Sequence, residues 1–124
     1  MLQKRRAMQP ESGESKPIAE HLRADVAGLR GVHGTMLLRL QSRDVGSLLV
    51  NDRHADFSPE VRESQVVVEF EEANDVKRLL SGELNPIVAS LQQRMHLSGD
   101  LVLGAQIILG LSAGAEFKPT ERGA

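Results

Sequence analysis

The sequence predicts a domain of the α+β class, in which a small, mostly antiparallel sheet is covered on one face by helices. The clearest strand signal is residues 66–70, where Val66, Val68 and Phe70 alternate with residues that face the other way. Start signals for two short helices follow this strand. The last regular segment, residues 101–113, is a helix whose side chains are almost all apolar.

The composition favours an aliphatic core and disfavours nucleic acid as a partner. The chain has 124 residues, of which 40% are hydrophobic and only 2% aromatic, and its formal net charge is −2. A single domain of this length buries roughly two-thirds of its unfolded surface. Few aromatic rings are available to stack on bases, and the net charge provides no general attraction for a polyanion.

Cysteine is absent from the chain, which excludes disulfides, thiolate catalysis and cysteine-ligated zinc. The basic residues Lys4, Arg5 and Arg6 are not followed by an apolar run, so the sequence predicts no secretory signal. We therefore expect the protein to be cytoplasmic.

The polar residues near each end predict two tails around one domain. Residues 1–14 are expected to be a disordered tail, residues 15–117 the folded domain, and residues 118–124 a flexible tail. The domain begins with Ile18, Leu22, Val26 and Leu29, which recur every three or four residues. This spacing predicts an amphipathic helix over residues 15–29.

Four strands are predicted from alternation and turn residues. Residues 35–40 and 46–51 are expected to form a hairpin around the turn residues 44–46. The charged stretch 53–63, which contains a proline, is expected to be a loop. Residues 66–70 and 94–98 complete the set of strands.

Three helices are predicted in the second half of the domain. Asn74 is expected to cap a helix that continues to residue 81, and Asn85 with Pro86 is expected to begin a second one. Gly99 and Asp100 are expected to open the third, apolar helix over residues 101–113.

The apolar helix is too short to span a bilayer, since its length is roughly 20 Å. A helix that is apolar all round is expected to be buried on every side. Gly104 and Gly110 leave shallow places on its surface, where a close neighbour or a ligand has room. Two interpretations stay open: an ordinary core helix under a sheet, or a helix that partly faces an internal apolar cavity able to hold a lipid.

No residue pattern indicates catalysis. His54 and Asp56 lie two residues apart in a charged stretch, which specifies little as a metal site. The serines lack the glycine context of a nucleophile, and the spacing of the glycines at 28, 31 and 34 matches neither common phosphate-binding motif. We expect no catalytic residue, no metal site, no cofactor and no enzymatic activity.

The order of elements resembles the C-terminal half of the sterol carrier protein type 2 family. That half runs helix, Gly-x-x-Asn-Pro, short helix, strand, Gly-Asp or Gly-Asn, and apolar helix. The matching residues are Gly82-Glu83-Leu84-Asn85-Pro86 and Gly99-Asp100, with order and spacing that agree over residues 75–113. Gln93 stands where the family usually has a glycine.

The resemblance implies that the protein binds a hydrophobic lipid of the sterol, fatty acyl or isoprenoid type in an apolar tunnel under the C-terminal helix. The candidate ligand-contacting residues are Met36, Leu38, Val68, Phe70, Ile87, Leu91, Met95, Leu97, Leu103, Ile107 and Leu111. The last three share a helix face, which we assign to the ligand because Gly104 and Gly110 border it. On this assignment, Ile107→Glu is expected to lose lipid binding while the fold survives.

The resemblance also implies transient contact with a membrane or a partner enzyme. An alternative function is that of an accessory subunit, which assists a lipid- or quinone-modifying enzyme through protein–protein contact. A third is an auxiliary domain of an enzyme whose catalytic domain is encoded alongside. Fold similarity alone does not separate these functions.

Overall fold

A computed structural model describes residues 20–119 of the chain. The elements in chain order are β1 (Leu22–Asp25), a 3₁₀ turn (Ala27–Leu29), β2 (His33–Leu40), β3 (Arg43–Asn51), β4 (His54–Ser58), β5 (Val66–Phe70), α1 (Ala73–Leu80), α2 (Pro86–Leu91), β6 (Met95–Gly99), α3 (Leu101–Ser112) and β7 (Lys118–Pro119). The predicted tail at residues 1–14 and residues 120–124 of the second predicted tail lie outside the described residues.

One sheet contains all seven strands of the described residues, in the order β6-β5-β2-β3-β4-β1-β7. Of the six strand pairs in this range, only β2 with β5 is parallel. The three helices pack against the face that carries Met36, Leu48 and Val68, which are all buried. The prediction of an α+β fold with helices on one face is confirmed.

The segment between β4 and β5 crosses the opposite face of the sheet. The Ser47 hydroxyl, which is fully buried in β3, donates to the carbonyl oxygen of Glu60 at 2.9 Å. It also accepts a hydrogen bond from the backbone N–H of Arg62 at 2.8 Å. These two bonds satisfy a buried polar side chain and hold the crossing segment on the strands.

The helix predicted over residues 15–29 is wrong for its described part. Residues Leu22–Asp25 form strand β1, which pairs with β4 on one side and β7 on the other. Only Ala27–Leu29 are helical, as a single 3₁₀ turn. Apolar residues spaced by three and four positions are also compatible with a strand followed by a turn. Here the strand forms, because residues 22–25 pair with the edge of β4.

The loop predicted over residues 53–63 is also wrong in part, because it contains β4. Ala55 and Phe57 point into the core, while His54 and Asp56 point to the other face. Residues 54–57 alternate between polar and apolar side chains, as a strand does. A loop was predicted because the surrounding stretch is rich in charged residues. The four predicted strands therefore become seven in the described residues.

The hairpin of β2 and β3 turns at Gln41 and Ser42, not at residues 44–46. Both turn residues have positive φ, 53° and 66°, which is the conformation of a tight two-residue hairpin turn. Asp44 lies within β3, and the register shifts between Leu38 and Arg39, so Val45 is the extra residue of a bulge.

The turn residues Gln41 and Ser42 are held in place by hydrogen bonds that they donate to β5. The Gln41 N–H donates to the Phe70 carbonyl oxygen at 2.9 Å, and the Ser42 N–H donates to the Glu69 carboxylate at 3.0 Å. Neither residue is a typical turn former in this conformation, which is why the sequence did not mark the turn.

Two of the three predicted helix starts are confirmed. The Asn85 side chain accepts hydrogen bonds from the N–H groups of Ile87 and Val88, and Pro86 is the first helical residue of α2. The Asp100 side chain accepts from the Leu103 N–H at the start of α3. The cap predicted at Asn74 is wrong, because Glu72 occupies the cap position of α1 and makes no side-chain bond there.

Helix α3 is not buried on every side, contrary to the expectation from its composition. One face, with Ile107 and Ile108, is buried against the sheet. The opposite face leaves Leu101, Val102 and Leu109 exposed, at 57%, 71% and 49%. The sheet and the other helices are too small to enclose the whole helix, so its outer residues remain in contact with solvent.

Lys118 and Pro119 were assigned to the flexible C-terminal tail, and the structure places them in strand β7. They pair with Arg23 and Leu22 of β1 at the edge of the sheet. These two residues therefore lie in the sheet. Lys118 and Pro119 form a strand only because β1 offers them an edge to pair with, and no pattern in the sequence indicates this pairing.

Candidate functional site

An apolar cavity of about 80 Å³ lies between the sheet and helices α1 and α3. Its lining combines five strands of the sheet, β1 to β5, with both helices and the segment after α3. The lining residues are Leu22, Met36, Leu38, Leu48, Phe57, Val68, Phe70, Val76, Leu79, Leu80, Ile108, Leu111 and Phe117. Every one of these side chains is apolar, so the cavity has no side-chain hydrogen-bonding group.

Three of the lining residues mark the side on which the cavity approaches solvent. Leu22, Leu80 and Phe117 are half-buried, whereas the other lining residues are buried. Leu22 and Phe117 are close in space, because β1 pairs with β7, and β7 begins directly after Phe117. We call the opening between Leu22, Leu80 and Phe117 the mouth of the cavity.

Five of the eleven predicted ligand-contacting residues line the cavity, and six do not. The five are Met36, Leu38, Val68, Phe70 and Leu111. The other six are Ile87, Leu91, Met95, Leu97, Leu103 and Ile107. Of these, Ile87 and Leu91 are 62% and 78% exposed on the outside of α2, and Leu97 is half-buried. Met95, Leu103 and Ile107 are buried in core packing outside the cavity.

The face of α3 assigned to the ligand meets the cavity only at Leu111, and the two glycines that border this face are covered by other parts of the fold. A β-carbon on Gly104 would lie 2.8 Å from Cγ2 of Val66, so β5 occupies that space. A β-carbon on Gly110 would lie 2.7 Å from the carbonyl oxygen of Gly28 and 2.6 Å from Cδ2 of Leu29. The second α3 residue in the cavity lining is Ile108, which is not on the assigned face.

Eight lining residues were missed by the sequence reasoning: Leu22, Leu48, Phe57, Val76, Leu79, Leu80, Ile108 and Phe117. The helical spacing of Val76, Leu79 and Leu80 was a signal for one buried face of α1. Phe57 was hidden in the supposed loop. Phe117 could not be found from any periodic pattern, because it lies between a helix and a two-residue strand.

The buried carboxylate of Asp75 belongs to the scaffold rather than to the cavity. It lies in the first turn of α1 and accepts hydrogen bonds from Arg94 at 3.1 Å and Arg78 at 3.4 Å. A buried charge needs such partners to offset its loss of hydration. The pair with Arg94 ties α1 to the residue that precedes β6.

A second, polar depression of about 780 Å³ lies on the other side of the same sheet edge. Two ion pairs lie at this depression: the lining residues Arg23 and Asp56 pair at 3.3 Å, and the lining residue Asp25 pairs with Arg53 at 3.0 Å. The hydrogen bond from Arg53 holds the pKa of the Asp25 carboxyl below its ordinary value. These pairs are exposed and satisfy one another, as expected of a solvated face.

Residues 20–119 hold neither a metal-binding cluster nor a membrane-spanning helix. They contain no group of three or more histidine, cysteine or acidic residues placed to hold a metal ion. Among the described helices, none is long and apolar enough to cross a membrane.

No family model matches the sequence, and no curated protein sequence matches it. Solved structures do match the fold. The sec-alkylsulfatase Pisa1 from Pseudomonas sp. matches with a TM-score of 0.56 and 15% identity over 71% of this chain, but over only 14% of its own length. The chain thus corresponds to a small part of that enzyme.

Two smaller structures match over most of their own length. A ubiquinone synthesis protein, UbiJ-SCP2, has a TM-score of 0.53 and 14% identity, over 70% of this chain and 75% of its own. The sterol carrier protein domain 2 of Helicoverpa armigera has a TM-score of 0.49 and 19% identity, over 68% and 73% of the two chains. At 14% identity the likeness to UbiJ-SCP2 concerns the fold alone, and on it this chain has the sterol carrier protein type 2 fold.

Proposed function

We propose that the protein binds the apolar part of a lipid, without catalysing a reaction, in the cavity between the sheet and α3. The observation that supports this function is the lining, which contains apolar side chains only. Each methylene group that leaves water for such a site contributes about 0.8 kcal/mol. Binding therefore needs no charged or catalytic group, and none of the lining residues is a nucleophile, an acid or a base.

The size of the cavity limits what it holds without rearrangement. Its volume of about 80 Å³ suffices for a short piece of hydrocarbon. Pockets that enclose whole small-molecule ligands are commonly about 300–1,000 Å³. The bound form therefore requires the cavity to widen into the tunnel that the family resemblance implies, and a flexible chain enters such a space more readily than a rigid ring system.

The wider role we propose is to transfer or present the lipid at a membrane or to a partner enzyme, in the cytoplasm. The alternative is an accessory subunit that assists a lipid- or quinone-modifying enzyme. The fold likeness to UbiJ-SCP2, which is described as a ubiquinone synthesis protein, supports keeping this alternative. Lipid binding by the isolated chain favours the first role, and binding to an enzyme without lipid favours the second.

The test fills the cavity and measures binding. Val76 lines the cavity on α1, and Val102 is 71% exposed on α3, so Val76→Phe and Val102→Phe are the same change at a cavity and a control position. We expect Val76→Phe to weaken the binding of anthroyloxy-labelled palmitic acid at least tenfold. Val102→Phe is expected to bind this probe with the affinity of the unmodified protein. Circular dichroism checks that both variants fold.

Two results would contradict the proposal. If folded Val76→Phe binds the probe as the unmodified protein does, the lipid lies outside this cavity. If the unmodified protein, freed of co-purified lipid, takes up neither labelled palmitic acid nor an isoprenoid alcohol, lipid binding itself is wrong.

A further inference from the structure

The cavity must open before a lipid enters, which raises the question of which lining element moves. This step rests on the proposed lipid binding. The lining strands β1 to β5 each pair with neighbours on both sides, so none separates without breaking two ladders. The mobile element must therefore be sought at the mouth, among the elements that carry Leu22, Leu80 and Phe117.

Helices α1 and α3 are firmly attached. α1 is joined to Arg94, the residue that precedes β6, through the buried carboxylate of Asp75. α3 is locked by close backbone packing, because a β-carbon on Gly110 would lie 2.7 Å from the carbonyl oxygen of Gly28. A shift of either helix would expose core residues such as Ile107, which is fully buried.

The segment 114–119 is attached far more weakly, and it carries Phe117. In the described residues its backbone bonds are those of Gly114 and Ala115 to the Leu111 carbonyl oxygen, at 3.1 Å each, and the short pairing of β7 with β1. Pro119 has no N–H to donate to this pairing. A two-residue strand at the edge of a sheet provides little stability by itself.

Two more features weaken or release this attachment. Lys118 lies directly opposite Arg23, and like charges at such positions oppose pairing. Gly114 begins the segment with a φ of +120°, and nothing lies within 4 Å of the position where its β-carbon would be. A glycine with open space around it can act as the hinge between α3 and the segment.

We propose that residues 114–119 are the lid of the cavity, with Phe117 as the side chain that closes its mouth, and that the lipid enters tail first when β7 separates from β1. The direction of entry follows from the lining. A polar head group inside the cavity would lose its hydration without gaining a side-chain hydrogen bond, so it stays at the mouth in water. The ligand class is thus a lipid with a slender apolar tail and a terminal polar group.

A reversible disulfide across the lid tests this proposal. Arg23→Cys with Lys118→Cys places two cysteines opposite each other on β1 and β7, on the face away from the cavity. The chain has no cysteine of its own, so the pair forms without competition. We expect oxidation to slow uptake of labelled palmitic acid at least tenfold, and reduction by dithiothreitol to restore it.

The matched control joins β1 to β4 instead of to the lid. Arg23→Cys with Asp56→Cys uses the same first position and the opposite neighbour. Its uptake rate is expected to be the same when oxidised and reduced. Equal uptake by the oxidised and reduced lid pair would overturn the lid, while lipid binding would stand. No uptake by the reduced lid pair and by the unmodified protein would overturn the proposed function.

A second measurement tests the lid without any lipid. The chain has no tryptophan, so Phe117→Trp and Phe57→Trp each introduce a single reporter into the cavity lining, one on the lid and one in β4. We expect acrylamide to quench the fluorescence at position 117 several times more strongly than at position 57. Equal protection of the two positions would overturn the lid, whatever the lipid experiment shows.

Discussion

Gly110 in α3 and Gly28 in the 3₁₀ turn lie backbone against backbone. A β-carbon on Gly110 would be 2.7 Å from the carbonyl oxygen of Gly28 and 2.6 Å from a methyl group of Leu29. This contact fixes the C-terminal half of α3 over the sheet. The position of Ile108 and Leu111 at the cavity depends on it.

The first prediction is that Gly110→Ala destabilises the protein. Alanine improves helix propensity by about 1 kcal/mol, but the collision is with backbone and cannot be relieved by a change of rotamer. We expect the free energy of unfolding in urea to fall by about 1–3 kcal/mol. Gly104→Ala meets side chains of Val66 and Leu97 and should cost less. A stability gain in Gly110→Ala would contradict the close contact.

The second prediction reverses the sequence-based expectation for Ile107. Because Ile107 is fully buried outside the cavity lining, Ile107→Glu should unfold the protein rather than only abolish binding. A buried, unpaired carboxylate costs several kcal/mol, a large part of the stability of a small domain. Val102→Glu, on the exposed face of the same helix, should change stability by less than about 0.5 kcal/mol. Thermal melting followed by circular dichroism measures both variants, and a folded Ile107→Glu would show that water reaches this position.

The third prediction compares two asparagines at helix starts. Asn85→Ala removes the acceptor for the N–H groups of Ile87 and Val88 and should cost about 1 kcal/mol. Asn74 is exposed inside the first turn of α1, and Asn74→Ala should leave stability unchanged or slightly raised. Urea denaturation of both variants provides the comparison. Equal losses would mean that Asn74 caps α1 after all.

The fourth prediction concerns Gln93, which stands where the sterol carrier protein type 2 family, which the sequence resembles, usually has glycine. Its φ is +61°, in the left-handed region that favours glycine. Gln93→Gly should therefore raise the free energy of unfolding by about 0.5–1 kcal/mol, since it removes backbone strain. Gln92, with a φ of −88°, is the control, and Gln92→Gly should lower stability by a similar amount. A loss in both variants would show that position 93 is not strained.

The sequence by itself determined the second half of the fold. Strand β5 shows its alternation of buried and half-buried residues. Asn85 and Asp100 begin their helices through hydrogen bonds to neighbouring residues, and Pro86 supports the first of these starts with its fixed φ. Signals of this kind depend on contacts within a few residues, so they can be read along the chain. They were sufficient to reveal the resemblance to the sterol carrier protein type 2 family.

Only the tertiary structure decided β1, β4, β7 and the location of the cavity. Each of these strands forms because a neighbouring strand offers it an unpaired edge, and the turn at Gln41 and Ser42 depends on acceptors in β5. The space beside Gly104 and Gly110 was correctly expected, but the sheet and Gly28 fill it. Which apolar residues face an empty space and which face one another depends on contacts between distant segments, and the hydrophobicity of a residue is the same in both cases.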